Sequence, residues 1–149
     1  LSNSEIDTVF WNAAAPGMPT EGIKDFLGYL KNKGIRTGVI SNISYASSVV
    51  AERINRLLPE NAFEFIITSS NYIFRKPNKR IFDLALEKTG LEPDEVWYIG
   101  DQYECDVKGA LNACLLPIWY IGAIDPPYIK DTNILTVKTW NEIEWYMEE

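Results

Sequence analysis

The sequence predicts an α/β fold, a doubly wound parallel sheet, and three observations carry that expectation. Short apolar, β-branched runs alternate with segments of helical periodicity along the whole chain. The spacing leaves room for a helical crossover between successive strands, which joins them in parallel. Polar residues collect just after the apolar runs, at the carboxyl ends of strands, where such sheets bind ligands.

The elements follow in order. Residues 20–33 read as a helix capped by Thr20, with Ile23, Phe26, Leu27 and Leu30 at i, i+3, i+4 and i+7 forming one apolar stripe. Gly34 is placed to end it. Residues 35–40 form a strand that runs into Ser41-Asn42. A second helix is expected over 45–57, with Val50, Ile54, Leu57 and Leu58 on one side and Pro59 as its stop. Residues 63–68 read as a buried strand. A polar loop leads to Arg75-Lys76-Pro77, and Asn78 caps a third helix that Gly90 closes. Residues 95–99 form the next strand, followed at once by Gly100-Asp101 and a short helix over 104–113. Two further strands are expected at 115–121 and 134–137, separated by a loop over 122–132 that holds Pro126-Pro127. Thr139 caps a last helix to about Met147.

Composition narrows the chemistry. The 149 residues suffice for one domain with a core, and 46% hydrophobic content is globular. No apolar run reaches the roughly 18 residues of a membrane span, and the first residues do not resemble a signal peptide. A soluble cytoplasmic protein is the expectation, with no membrane partner. The net charge is −7. Arg75, Lys76, Lys79 and Arg80 are the only basic cluster, which argues against a nucleic-acid partner. Cys105 and Cys114 form no metal pattern and are expected to be buried free thiols. The chain has no histidine. Ser-His and Cys-His nucleophiles and His-ligated metals are thereby excluded, and any metal must be a hard, oxygen-liganded cation.

Asp101 ends an apolar strand, and Asp106 follows five residues later on a first helical turn, where the helix dipole favours its charge. Such a pair suits Mg²⁺, which takes one or two carboxylates, waters and a phosphate oxygen. The same residues also suit a turn and a helix start. Lys76 sits in a loop where an ammonium neutralises phosphate charge, although a loop lysine is equally at home in solvent. Ser41 after its strand offers a hydrogen bond to a phosphoryl oxygen, or a cap to a helix.

The order of these residues is more specific than any one of them. Gly34-Ile35-Arg36-Thr37-Gly38-Val39-Ile40-Ser41-Asn42, then Arg75-Lys76-Pro77-Asn78-Lys79-Arg80-Ile81-Phe82, then Tyr98-Ile99-Gly100-Asp101 with Asp106, resembles motifs two, three and four of the haloacid dehalogenase (HAD) superfamily. The resemblance spans residues 16–122. It implies a Rossmann-like core with strand order 3-2-1-4-5. It also implies a Mg²⁺-dependent phosphatase of small phosphomonoesters, working through an aspartyl-phosphate. Ser41 would bind the phosphoryl group, with Asn42 lining the site. Lys76 would hold the charge of nucleophile and phosphate. Asp101 would ligate Mg²⁺, and Asp106 would ligate it through water or orient Lys76.

Motif one, an apolar strand followed by Asp-x-Asp, has no match. Asp7 is followed two residues later by Val9, and Asp25 lies within a helical pattern. The chain is therefore expected to lack its nucleophile and to be inactive alone. Residues 1–15 read as the tail of a cap insertion and 16–149 as a core without its motif-one strand. A missing amino-terminal segment, or a neighbouring copy, would complete the sheet. A small phosphorylated metabolite is the expected partner. A non-enzymatic binding module of the same fold is the competing expectation. A dinucleotide-binding domain is disfavoured, because no GxGxxG follows a strand.

Overall fold

A computed structural model describes residues 2–125 and 133–149. The chain forms two compact units, residues 1–75 and 76–149. All strand pairing among the described residues is parallel, as the alternation predicts.

In the first unit, helix α1 spans Asn3–Ala14. Ser2 and Glu5 cap it reciprocally: the Ser2 N–H donates to Glu5 Oε2 at 2.6 Å, and the Glu5 N–H donates to Ser2 Oγ at 3.3 Å. Those bonds stabilise the Glu5 carboxylate and hold its pKa below the ordinary value. Helix α2 spans Ile23–Asn32 and buries Phe26 and Leu30, two members of the predicted stripe. Its cap is Gly22 at φ 81°, not Thr20, so the helix starts two residues later than expected. Gly34 takes φ 71° and ends the turn, as its position predicts.

Strand β1, Thr37–Ser41, pairs with β2, Phe63–Thr68, and helix α3, Ser47–Leu57, connects them. Ser41 stands opposite Thr68 at the carboxyl end of the pair. Gly38 permits the pairing as it stands, because a Cβ there would lie 2.3 Å from the Phe65 ring. At the other end Arg36 donates to both carboxylate oxygens of Glu64, at 2.7 and 2.8 Å. Helix α1 lies on α3: Thr8 donates to Glu52 at 3.1 Å, Arg56 donates to Asn12 at 3.2 Å, and the Arg53 guanidinium sits 3.9 Å above the Trp11 ring.

In the second unit, α4 spans Lys79–Thr89. Asn78 caps it by accepting from the Arg80 N–H at 3.0 Å, and Gly90 ends it at φ 67°. Strands β3 (Trp97–Gly100), β4 (Leu116–Tyr120) and β5 (Leu135–Val137) form a sheet in that order. β3 begins two residues later than expected, because residues 93–95 coil into a 3₁₀ turn closed by Glu92 and Glu95. The region read as one short helix over 104–113 is two pieces: a π-type turn at Tyr103–Val107 and helix α5 at Lys108–Asn112. Helix α6 spans Trp140–Glu148 behind a Thr139–Glu142 capping box. Ile81, Phe82, Val107, Ala110, Ile118, Val137 and Ile143 form the core. Cys105 and Cys114 are free, but Cys114 is exposed and Cys105 half-buried, which corrects the expectation of buried thiols. The predicted loop at 122–132 lies outside the described residues from 126 on.

β1 pairs only with β2, and β3 only with β4, among the described residues. Each therefore has one open edge.

The β1–β2 unit depends on apolar packing at Ile67, which is 1% exposed. Ile67→Ala is expected to cost about 2–5 kcal/mol of stability in chemical denaturation, the range for a large-to-small change in a core.

Candidate active site

Asp106 is the only acidic side chain in the described core, at 3% exposure. A carboxylate at that depth is tolerated only when it is paired and hydrogen-bonded. Asp106 has three donors. Oδ1 accepts from Lys76 Nζ at 2.6 Å and from the Tyr98 hydroxyl at 3.2 Å, and Oδ2 accepts from the Gln102 N–H at 2.9 Å. Lys76 Nζ also donates to the Tyr98 hydroxyl at 2.9 Å. The three side chains close a ring of hydrogen bonds, with Lys76 itself only 10% exposed.

Local structure sets each member. Asp106 stands in the π-type turn, where the Lys108 N–H reaches back to the Tyr103 carbonyl. Such turns are rare and concentrate at functional sites. Gly100 must be glycine, because a Cβ there would lie 2.3 Å from Asp106 Cγ. Gly109 of α5 plays the same part for the loop of Lys76: a Cβ would meet the Phe82 ring at 2.8 Å and Pro77 Cα at 3.1 Å. The Lys76–Pro77 bond is cis.

Asp101 follows β3 and is half-buried. Its carbonyl accepts from Trp119 Nε1 at 3.0 Å, which fixes the strand end against β4. Burial, the Asp106 charge, the hydrogen bond to Asp106 and the Asp101 charge, in that order, push the Tyr98 phenol well above its ordinary pKa. The phenol is thus neutral throughout the physiological range.

Ser41 and Asn42 belong to the first unit. A polar turn at Ser69–Asn71 holds the segment that follows them. Ser69 Oγ accepts from the Ile43 N–H at 3.0 Å and donates to the Ile43 carbonyl at 3.1 Å, and Asn71 Oδ1 accepts from the Ser47 N–H at 3.0 Å. Buried Thr68 braces the turn by donating to Asn71 Oδ1 at 2.8 Å. Of the predicted site residues, the second unit brings Lys76 and Asp106 into direct contact, with Asp101 at the adjoining strand tip. Asp7 and Asp25 both lie in helices, α1 and α2, and not at a strand end.

Sequence reasoning overlooked Tyr98, the Gln102 N–H and the Ser69–Asn71 turn. Strand alternation held a signal for Tyr98, which shares a face with Gly100 two residues on.

Residues 14–118 match the family of haloacid dehalogenase-like hydrolases. The chain belongs to that family. It is 39% identical over 84 residues to a glyceraldehyde 3-phosphate phosphatase of Methanothermobacter thermautotrophicus, a match over 56% of this chain and 36% of the relative. It is 33% identical over 118 residues to the pyrimidine 5′-nucleotidase YjjG of Escherichia coli, over 77% of this chain and 51% of the relative. The chain thus spans about a third to a half of these relatives' length. A HAD phosphatase structure from Thermococcus onnurineus shares the fold, with TM-score 0.67 and 24% identity over 83% of this chain and 55% of that one. No described helix is long and apolar enough to cross a membrane.

The raised Tyr98 phenol gives a titration prediction. Below about pH 10 the phenol is neutral in both folded and unfolded chains, so its contribution is intact. Above that value the unfolded chain loses the proton first, so stability falls as pH rises toward the folded value. In an absorbance titration at the phenolate band, Tyr98→Phe should remove amplitude only from the part above the ordinary tyrosine range. Loss of amplitude at the ordinary midpoint would contradict the burial.

Proposed function

We propose that this chain is the carboxyl-terminal part of the core of a Mg²⁺-dependent phosphatase of small phosphomonoesters. The observation that carries the reading is the buried Lys76–Asp106–Tyr98 ring beside Asp101. It holds a cation fixed in a dry site, which is what transfer of a phosphoryl group needs. The names of two relatives, a glyceraldehyde 3-phosphate phosphatase and a pyrimidine 5′-nucleotidase, support the same substrate class.

The roles divide by environment. The Asp106 carboxylate is filled by three donors and would orient Lys76; a metal would have to displace them. The Asp101 carboxylate accepts no hydrogen bond among the described residues and would be the side chain that holds Mg²⁺. No cluster of three or more metal-binding acidic or thiol side chains occurs among the described residues. A site with one protein carboxylate, waters and a phosphate oxygen still fits Mg²⁺. When bound, the ion would neutralise phosphoryl charge. Lys76 would carry the second positive charge on the phosphoryl oxygens and the nucleophile. Ser41 would donate a hydrogen bond to a phosphoryl oxygen, and Asn42 would line the site.

The nucleophile in this reading is a motif-one aspartate outside these 149 residues, on a strand central to the family order 3-2-1-4-5. The open edges of β1 and β3 are where such a strand would pair. An unpaired buried backbone group costs on the order of 1–3 kcal/mol, and a strand has several. A preceding segment of the same protein, or a neighbouring copy, would supply the strand. Residues 1–15, which include helix α1, would be the end of a cap insertion.

Two measurements test this. The gene read upstream should encode an apolar strand followed by Asp-x-Asp. The intact protein should hydrolyse small phosphomonoesters with Mg²⁺ and not with a chelator, while the 149-residue chain alone should not. In the intact protein, Asp101→Asn should abolish the metal-dependent turnover. Lys76→Ala should lower kcat by on the order of 10²–10³ or more, the scale of losing a preorganised charge. Near-normal turnover in either variant would sink the assignment. An intact protein with no activity and no upstream Asp-x-Asp would point to a binding module instead.

A further inference from the structure

We propose that Tyr98 is a positioning residue that acts through Lys76: its hydroxyl fixes where the lysine charge sits. The proposal rests on the phosphatase reading for its consequence, but not for its geometry. The Tyr98 hydroxyl has one proton, and it donates that proton to Asp106 Oδ1 at 3.2 Å. A lone pair is left to accept from Lys76 Nζ at 2.9 Å. The directions of both bonds are therefore determined.

A lysine ammonium is a point charge on a flexible four-carbon stem. Asp106 holds it at 2.6 Å. The hydroxyl adds an acceptor in another direction, which narrows where the ammonium can sit. The hydroxyl is itself fixed. Tyr98 lies on β3, and its ring packs edge-on against Phe82 of α4 with centroids 5.0 Å apart. Phe82 is fully buried, so the ring has little room to tilt.

Packing alone does not account for the residue. A phenylalanine would fill the same space without a polar atom that must find partners in the core. What the hydroxyl adds is a second bridge beside the direct contact of Lys76 with Asp106. A displacement of about 1 Å in a catalytic group is enough to cost roughly a hundredfold in rate.

The test uses the intact protein and the variant Tyr98→Phe, with p-nitrophenyl phosphate and Mg²⁺. The expected result is a kcat lower by roughly ten- to a hundredfold, with KM within about twofold. A merely structural role would lower the melting temperature and leave the kcat of the folded enzyme alone. In parallel, the Lys76 ammonium is observed directly by ¹H–¹⁵N NMR. A slowly exchanging signal, assigned through its loss in Lys76→Arg, is expected in the wild type and should be lost or broadened in Tyr98→Phe. Wild-type kcat in the variant, or an unchanged ammonium signal, would overturn the proposal. If Tyr98→Phe does not fold, the wild-type spectrum decides: the signal should show proximity to the Tyr98 ring protons, and a rapidly exchanging ammonium refutes the inference. A wild type inactive with Mg²⁺ removes the phosphatase reading, and the NMR comparison then judges Tyr98 by itself.

Discussion

Asp106 is buried as an anion, and much of the second unit is arranged around that fact. An unpaired carboxylate in a core is prohibitive, and removing one partner of a buried ion pair costs about 3–5 kcal/mol. The protein meets the requirement with a cation from the loop before α4, a phenol from β3 and a backbone N–H from the turn itself. Each contribution constrains its own element. Gly100 leaves room for the carboxylate, and Gly109 leaves room for Pro77 and the loop that carries Lys76. Gly100 is thus fixed by the buried carboxylate itself, and Gly109 by the loop that brings the lysine to it.

Much of the fold was legible because its signals are local. Asn78, Gly90 and Thr139 mark their helix ends by hydrogen bonds and backbone angles that involve only neighbours. The stripe of α2 was legible for the same reason. The misreadings occur where local options compete. Thr20 is a good cap by type, yet Gly22 adopts the left-handed angle that turns the chain into α2. Residues 95 and 96 read as the start of β3, but Pro93 and the Glu92–Glu95 exchange close a turn that delays it to Trp97. Helix α1 is set by residues more than forty positions away: Glu52, Arg53 and Arg56 on α3 supply its polar and cation–π partners. No local reading contains them.

The candidate site divides in the same way. Ser41, Lys76, Asp101 and Asp106 are candidates by the order of their motifs, since each residue type alone is common after a strand. Tyr98 was missed because a tyrosine in an apolar strand is unremarkable until its hydroxyl is traced. The resemblance left open whether Asp106 ligates metal through water or orients Lys76. Asp106 and Asp101 carry the same group, and only tertiary structure shows that three donors fill one of them and none among the described residues reaches the other. Two like carboxylates thus stand in different surroundings, the condition under which such pairs divide their roles.

The five-residue step from Asp101 to Asp106 has a physical basis in the turn it spans. The Asp106 N–H donates to the Gln102 carbonyl at 2.7 Å, and the Gln102 N–H donates to Asp106 Oδ2 at 2.9 Å. Gln102 and Asp106 thus close one turn from both sides, through the backbone in one direction and the side chain in the other. Asp101 is left just outside that turn, at the strand tip, with its carbonyl tied to Trp119. A shorter step could not close the reciprocal pair with the same i, i+4 geometry. A longer one would carry Asp106 past Gly100, whose missing side chain makes room for it. The spacing therefore encodes one carboxylate turned into the core to hold a lysine and one left at the strand end for another partner.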